Sequence, residues 1–82
     1  MKQITYQPAA QKALRKMPKN TAKRIISKIT SYAENPEAQA NNVIKLQGRE
    51  GIRLRVGDWR VIMQDGVVLD VLAIGPRGGI YD

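Results

Sequence analysis

Cysteine and histidine are both absent from the 82 residues. Without cysteine there is no disulfide framework to support a small core, and neither a thiolate zinc site nor a cysteine nucleophile can be built. Without histidine, the commonest metal ligand and the usual neutral-pH general base are missing together. Any catalysis must therefore run on Arg, Lys, Tyr, Asp or Glu, and neither metal nor cofactor is expected. A signal-peptide apolar run is lacking too, and no stretch approaches the roughly 18 apolar residues of a membrane span. The expectation is a cytoplasmic protein with no membrane partner.

Acidic residues are missing from the first 33 positions, which hold eight basic ones: Lys2, Lys12, Arg15, Lys16, Lys19, Lys23, Arg24 and Lys28. Residues 34–82 carry six basic and seven acidic side chains, so the whole formal charge of +7 originates in the first part. A charge that large on so small a body favours a polyanion such as nucleic acid, or an acidic protein partner. The identities segregate as well. Six of the first eight cations are Lys, whereas five of the later six are Arg: Arg49, Arg53, Arg55, Arg60 and Arg77. Lysine is a mobile, hydrated point charge and arginine a planar fork suited to phosphate, so the first half reads as attraction and the second as recognition.

The chain has room for one domain, 1–82, with a modest core. Lys2 to Tyr6 suits a short strand. Pro8 fits the first turn of a helix, whose apolar stripe is Ala10, Ala13, Leu14 and Met17 and which Pro18 ends. A second helix is predicted from about Asn20 to Glu34, with Ala22, Ile25, Ile26, Ile29, Tyr32 and Ala33 on one face. Lys23, Arg24 and Lys28 read as its solvated face. A basic helical pair also suits a DNA-reading helix-turn-helix, but that motif needs a third helix, and the later segments read as sheet. Residues 36–42 read as a loop, Val43 to Leu46 as a short strand, and Gln47 to Gly51 as a turn.

Ile52 to Val56 alternates strictly, Gly57-Asp58 supplies a two-residue turn, and Trp59 to Gln64 continues as strand. This loop fixes a register: Val56 faces Trp59, Arg55 faces Arg60, Leu54 faces Val61 and Arg53 faces Ile62. Ile52, Leu54, Val56, Trp59, Val61 and Met63 then share one face, and Arg53, Arg55 and Arg60 the other. Asp65-Gly66 signals a further hairpin leading into Val67 to Gly75, without fixing which face Asp70 occupies. The fold class is α+β: a strand, a helical hairpin, then antiparallel strands in a twisted sheet.

Like charges opposite one another on a sheet are unfavourable. Either an anion sits among the three arginines, or they splay into water or pair with Asp58, Asp65 or Asp70. The Gly75 to Asp82 tail lacks the lysine and helix of a P-loop and serves instead to bring Arg77 and Tyr81 over the arginine face. Tyr81 is either a general base, its phenol easier to ionise beside positive charge, or a stacking platform or packing anchor.

The segments KLQGREGIRLRVGDWRVIMQ (45–64) and VVLDVLAIGPRGGIY (67–81), behind a strand and a helical hairpin, resemble the RelE/ParE superfamily, the toxin half of bacterial toxin–antitoxin modules. The likeness spans nearly the whole chain. It implies a concave sheet face that takes messenger RNA in the ribosomal decoding site, and metal-free cleavage in which the ribose 2′-hydroxyl attacks the adjacent phosphate. By position it implies that Arg60 and Arg77 stabilise the pentacoordinate phosphate, that Arg53 and Arg55 hold the RNA backbone, and that Tyr81 orients a base or takes the 2′ proton. Lys45 and Arg49 become candidates for RNA or ribosome contact, and Glu50 a lesser candidate base. The implied partners are messenger RNA, the ribosome and a cognate antitoxin with an acidic segment. ParE-type relatives share the fold yet poison DNA gyrase and cut nothing, which is the competing expectation. A non-toxic binding module is a third.

Overall fold

A computed structural model describes residues 1–78. The elements run β1 (Ile4–Tyr6), α1 (Pro8–Lys16), α2 (Lys19–Glu34), a 3-10 helix (Pro36–Asn42), β2 (Val43–Lys45), β3 (Ile52–Val56), β4 (Trp59–Asp65) and β5 (Leu69–Pro76). They form one five-stranded sheet in the order β1-β5-β4-β3-β2. All neighbours are antiparallel except β1 with β5, which pair parallel through Ile4–Leu69, Thr5–Asp70 and Tyr6–Val71. The expected α+β class is what is found.

The helical hairpin turns at Met17-Pro18. Proline disfavours helical backbone in the residue before it, and Met17 is extended at φ −100°, ψ 162°. Pro18 then caps α2, its carbonyl accepting from Ala22 N–H at 3.0 Å. One proline thus ends the first helix and begins the second. Ala10 of α1 and Ile25, Ile29 and Tyr32 of α2 are buried against one sheet face together with Leu54, Val56, Val61, Met63, Leu69, Val71 and Ile74. Ile26 departs from the expected stripe at 39% exposed, because one residue of helix rotates a side chain by about 100° and Ile25 occupies the centre of the contact.

The register of β3 on β4 is the expected one, from Val56–Trp59 back to Ile52–Met63. The β4–β5 hairpin differs in two respects. Asp65 pairs with Leu69, so its loop has three residues, 66–68, and strand β5 starts two residues later than expected. The register also shifts between Ile62–Ala73 and Met63–Val71, leaving Leu72 as an extra residue on β5. This bulge keeps both Val71 and Ile74 on the core side. Asp70 pairs with Gln64 and sits on the face away from the core, at the far end from Arg60, which pairs with Gly75. Its carboxylate accepts from Thr5 Oγ1 at 2.8 Å and from Gln7 Nε2 at 2.9 and 3.0 Å, fastening β1 and the start of α1 to the sheet.

A second carboxylate ties α2 to the end of β4. Tyr32 donates to Asp65 Oδ2 at 2.8 Å, and Lys2 forms an ion pair with Asp65 Oδ1. Burial, reinforced by that hydrogen bond, pushes the Tyr32 phenol from its ordinary 10.0 up to about 12. The hydrogen bond from Lys2 leads in holding Asp65 below its ordinary 3.8. A phenol whose value is raised by folding stabilises the fold fully below its unfolded value and loses that contribution as pH rises through the folded one. A fall in stability is therefore expected between pH 10 and about 12, and Tyr32→Phe should make it smaller in a denaturant series. Asp65 works in the opposite sense: its contribution is present above the ordinary carboxylate range and is lost as pH falls through the lowered value.

Candidate functional site

Two neutral side chains, without any signal in the sequence, set the first wall of the site. Residues 36–42 form a 3-10 helix rather than a loop, and its Gln39 is buried at 7% exposed. Gln39 Nε2 donates to Ser31 Oγ of α2 at 3.0 Å, its Oε1 accepts from Asn42 Nδ2 at 3.3 Å, and Asn42 Oδ1 accepts from Arg55 Nη2 at 3.2 Å. The relay runs from α2 to the arginine face. Leaving buried polar groups unpaired costs about 1–3 kcal/mol. Gln39→Ala is expected to lower unfolding free energy by about that amount and to loosen Arg55, readable as a urea midpoint shift.

Arg60 stands directly opposite Arg55 across the β3–β4 pair. Its Nη1 folds back onto the turn, donating to the carbonyls of Gly57 at 2.9 Å and Trp59 at 3.0 Å. Arg77 is brought to the same place by its backbone, whose N–H donates to Asp58 O at 2.7 Å. The Gly57-Asp58 turn therefore anchors both. Gly57 has φ +59°, as a tight hairpin turn demands. A Cβ placed there would lie 2.8 Å from Arg24 Nη2, so the α2 guanidinium rests against this glycine.

The outcome is a cleft of about 620 Å³ lined by Arg24, Lys28, Arg55, Arg60 and Arg77, together with Asn42, Val56, Gly57 and Asp58. It lies at the tip of the β3–β4 hairpin, where the helix layer meets the arginine face. A smaller hollow of about 170 Å³ continues it along the sheet, sharing Asn42, Arg55 and Arg60 and adding Arg53, Asn41 and Ile44. The carboxylates that were open as partners are engaged elsewhere: Asp65 with Lys2 and Tyr32, Asp70 with Thr5 and Gln7. Among the described residues, no ion pair joins Asp58 to Arg55, Arg60 or Arg77. Arg55 and Arg60 are held by neutral oxygens, which fix their direction without cancelling their charge. Such a cleft attracts an anion, and its fork-shaped donors suit phosphate.

Of the residues singled out in the sequence, Arg55, Arg60 and Arg77 thus converge, and Arg53 adjoins them. Lys45, Arg49 and Glu50 do not: they line a separate hollow of about 440 Å³ with Gln64 and Asp65. Glu50 there accepts from Gln64 Nε2 at 3.3 Å, which removes it from the arginine cleft as a base. Tyr81 lies outside the described residues. Arg24 and Lys28, read as a solvated face, are the additions. Their spacing of four shows that they share a helix face, but no sequence signal places that face over the hairpin turn. Among the described residues no cluster of metal-ligating side chains occurs, and no helix is long and apolar enough to cross a membrane.

A family model described as the ParE toxin of type II toxin–antitoxin system, parDE, matches residues 4–81. A chain of the archaeal RelE–RelB complex from Pyrococcus horikoshii OT3 is 28% identical, with TM-score 0.79, over 96% of this chain and 98% of the other. A chain of the intact Escherichia coli RelBE toxin–antitoxin complex is 26% identical, with TM-score 0.70, over 93% and 96% respectively. The isolated E. coli RelE toxin shares the fold at TM-score 0.72 and 23% identity, over 98% of this chain and 88% of that one. Among curated protein sequences none matches.

Proposed function

The chain belongs to the ParE toxin family, within the RelE/ParE superfamily of type II toxin–antitoxin toxins, and on that footing we propose that it is a cytoplasmic, metal-independent endoribonuclease cutting messenger RNA on the ribosome. The observation that carries this reading is the convergence of Arg55, Arg60 and Arg77 on one cleft with, among the described residues, no carboxylate paired to any of them. In the reaction the ribose 2′-oxygen attacks the adjacent phosphorus while its proton passes to a base. The bond from phosphorus to the 5′-oxygen then breaks, giving a 2′,3′-cyclic phosphate and, after protonation, a 5′-hydroxyl. Negative charge grows on the phosphoryl oxygens along this path, and Arg60 and Arg77 are the preorganised donors for it. Arg53 and Arg55 hold the flanking backbone.

Tyr81 is assigned as the base or the orienting stack. Two of the three tyrosines are unsuited to the first role, since burial raises the phenols of Tyr6 and Tyr32. Lys45 and Arg49, away from the cleft, are assigned to a peripheral RNA or ribosome contact. The proposed protein partner is a cognate antitoxin with an acidic segment covering the basic cleft, as RelB accompanies RelE in the similar complexes.

The match to the ParE model favours a second reading, inhibition of DNA gyrase without cleavage. Brief induction in growing cells separates the two. Messenger 5′ ends mapping to codon positions support the nuclease; DNA-damage signalling with intact messages supports gyrase inhibition.

A further inference from the structure

The cleft has a wall that the catalytic assignment leaves unused. Arg24 and Lys28 come from α2, on the opposite side of the hairpin tip from Arg53, Arg55 and Arg60. Both are exposed on one helix face, and the adjacent face, Ile25 and Ile29, is buried and fixes the rotation of the helix. Arg24 Nη2 lies against the bare Cα of Gly57, the turn whose carbonyl also receives Arg60. At about 620 Å³ the cleft holds far more than one phosphate group.

We propose that Arg24 and Lys28 form a second phosphate-binding limb, gripping the RNA backbone phosphate next to the scissile one, so that α2 sets the path of the strand across the hairpin tip. This rests on the ribonuclease reading of the same cleft. Two like-charged walls facing each other across a cleft repel unless negative charge lies between them, and a phosphodiester strand supplies charge at regular spacing. Gly57 is then a positioning residue, because any side chain there displaces Arg24.

The test compares the wild type, Arg24→Ala/Lys28→Ala and the control Lys23→Ala, a solvated position on the same helix. Each is titrated with a short single-stranded RNA blocked by one 2′-deoxy nucleotide, over a salt series. Each lost phosphate contact flattens the slope of log K against log salt by about 0.7, so the double variant, which loses the one phosphate the limb grips, should be shallower by roughly 0.7 and Lys23→Ala unchanged. A neutral methylphosphonate at one linkage beside the blocked nucleotide should weaken the wild type and leave the double variant unaffected. Equal slopes, or equal sensitivity of both proteins to the neutral linkage, overturn the second limb while wild-type binding and cleavage still stand. A wild type that neither binds this RNA nor, in a parallel reaction, cuts an unblocked message on programmed ribosomes overturns the ribonuclease reading with it. Melting temperatures within a few degrees of wild type show that the exposed substitutions leave the fold intact.

Discussion

Arg60→Ala and Arg77→Ala are each expected to slow message cleavage by about 10²- to 10³-fold, the range for removing one donor aimed at charge that develops in the transition state. The magnitude comes from how the two are held. Arg60 is fixed by two backbone carbonyls of its own turn, and Arg77 is delivered by an N–H bonded to Asp58 O in that turn. The Arg60 fork is thus held in place before charge appears on the phosphate, and the backbone of Arg77 is fixed beside it. Arg60→Lys keeps the charge but loses the planar fork, so it should recover part of the rate. The double alanine variant should lose less than the product of the single losses, because residues acting as a unit are not additive. Single-turnover cleavage on programmed ribosomes measures all four. Two fully active single variants would remove these arginines from the site.

Leu54→Ala should lower unfolding free energy by about 2–5 kcal/mol, the range for deleting a buried leucine side chain. Against a total of about 5–15 kcal/mol for a native domain, that threatens the folded state. Leu54 is fully buried at the centre of β3, opposite Val43 on β2 and Val61 on β4. Its neighbours Arg53 and Arg55 project from the same strand to the other face, so a cavity under Leu54 loosens the strand that carries the cleft. Urea unfolding followed by the fluorescence of Trp59 should show a lower midpoint at constant slope. Ile44→Ala on β2, where the side chain is 48% exposed, should stay within about 0.5 kcal/mol of wild type. Equal losses at the two positions would contradict the register.

That register was the most legible part of the sequence. Strict alternation from Ile52 to Val56, the two-residue turn at Gly57-Asp58 and the apolar set Trp59, Val61 and Met63 admit one pairing that turns these side chains toward the core, and a slip by one would turn them outward; Ile62, apolar and buried on the other face, is the exception to the alternation. The helices were legible for a similar reason, since Ile25, Ile29 and Tyr32 recur at helical spacing and proline bounds both segments. The β4–β5 hairpin was less so. Leu69 and Val71 to Ile74 are all apolar, so nothing in that run reveals that Leu72 is the extra residue or that the loop takes three positions. The 3-10 helix was hidden because its polar residues carry no period; its role rests on Gln39 and Asn42 reaching Ser31 and Arg55, contacts set by tertiary packing.

The arginine cleft was half legible. Arg53, Arg55 and Arg60 fall on one face by alternation alone. Arg77 joins through a hydrogen bond between two loops, and Arg24 with Lys28 through the angle at which α2 crosses the sheet. Neither is written in local spacing. The charge asymmetry along the chain gains a sharper meaning as a result. The lysine-rich first third does more than supply a diffuse field, because two of its cations reach the cleft built by the arginines of the second part.

Ribonuclease activity is read most directly by incubating the purified chain with ribosomes programmed with a defined message, adding no metal beyond what the ribosome requires, and analysing the RNA ends. The expected result is a new upstream end carrying a 2′,3′-cyclic phosphate and a downstream end with a free 5′-hydroxyl, both lost in Arg60→Ala/Arg77→Ala. Intact message, alongside stabilised gyrase–DNA cleavage complexes in a parallel reaction, would contradict cleavage as the toxin's activity.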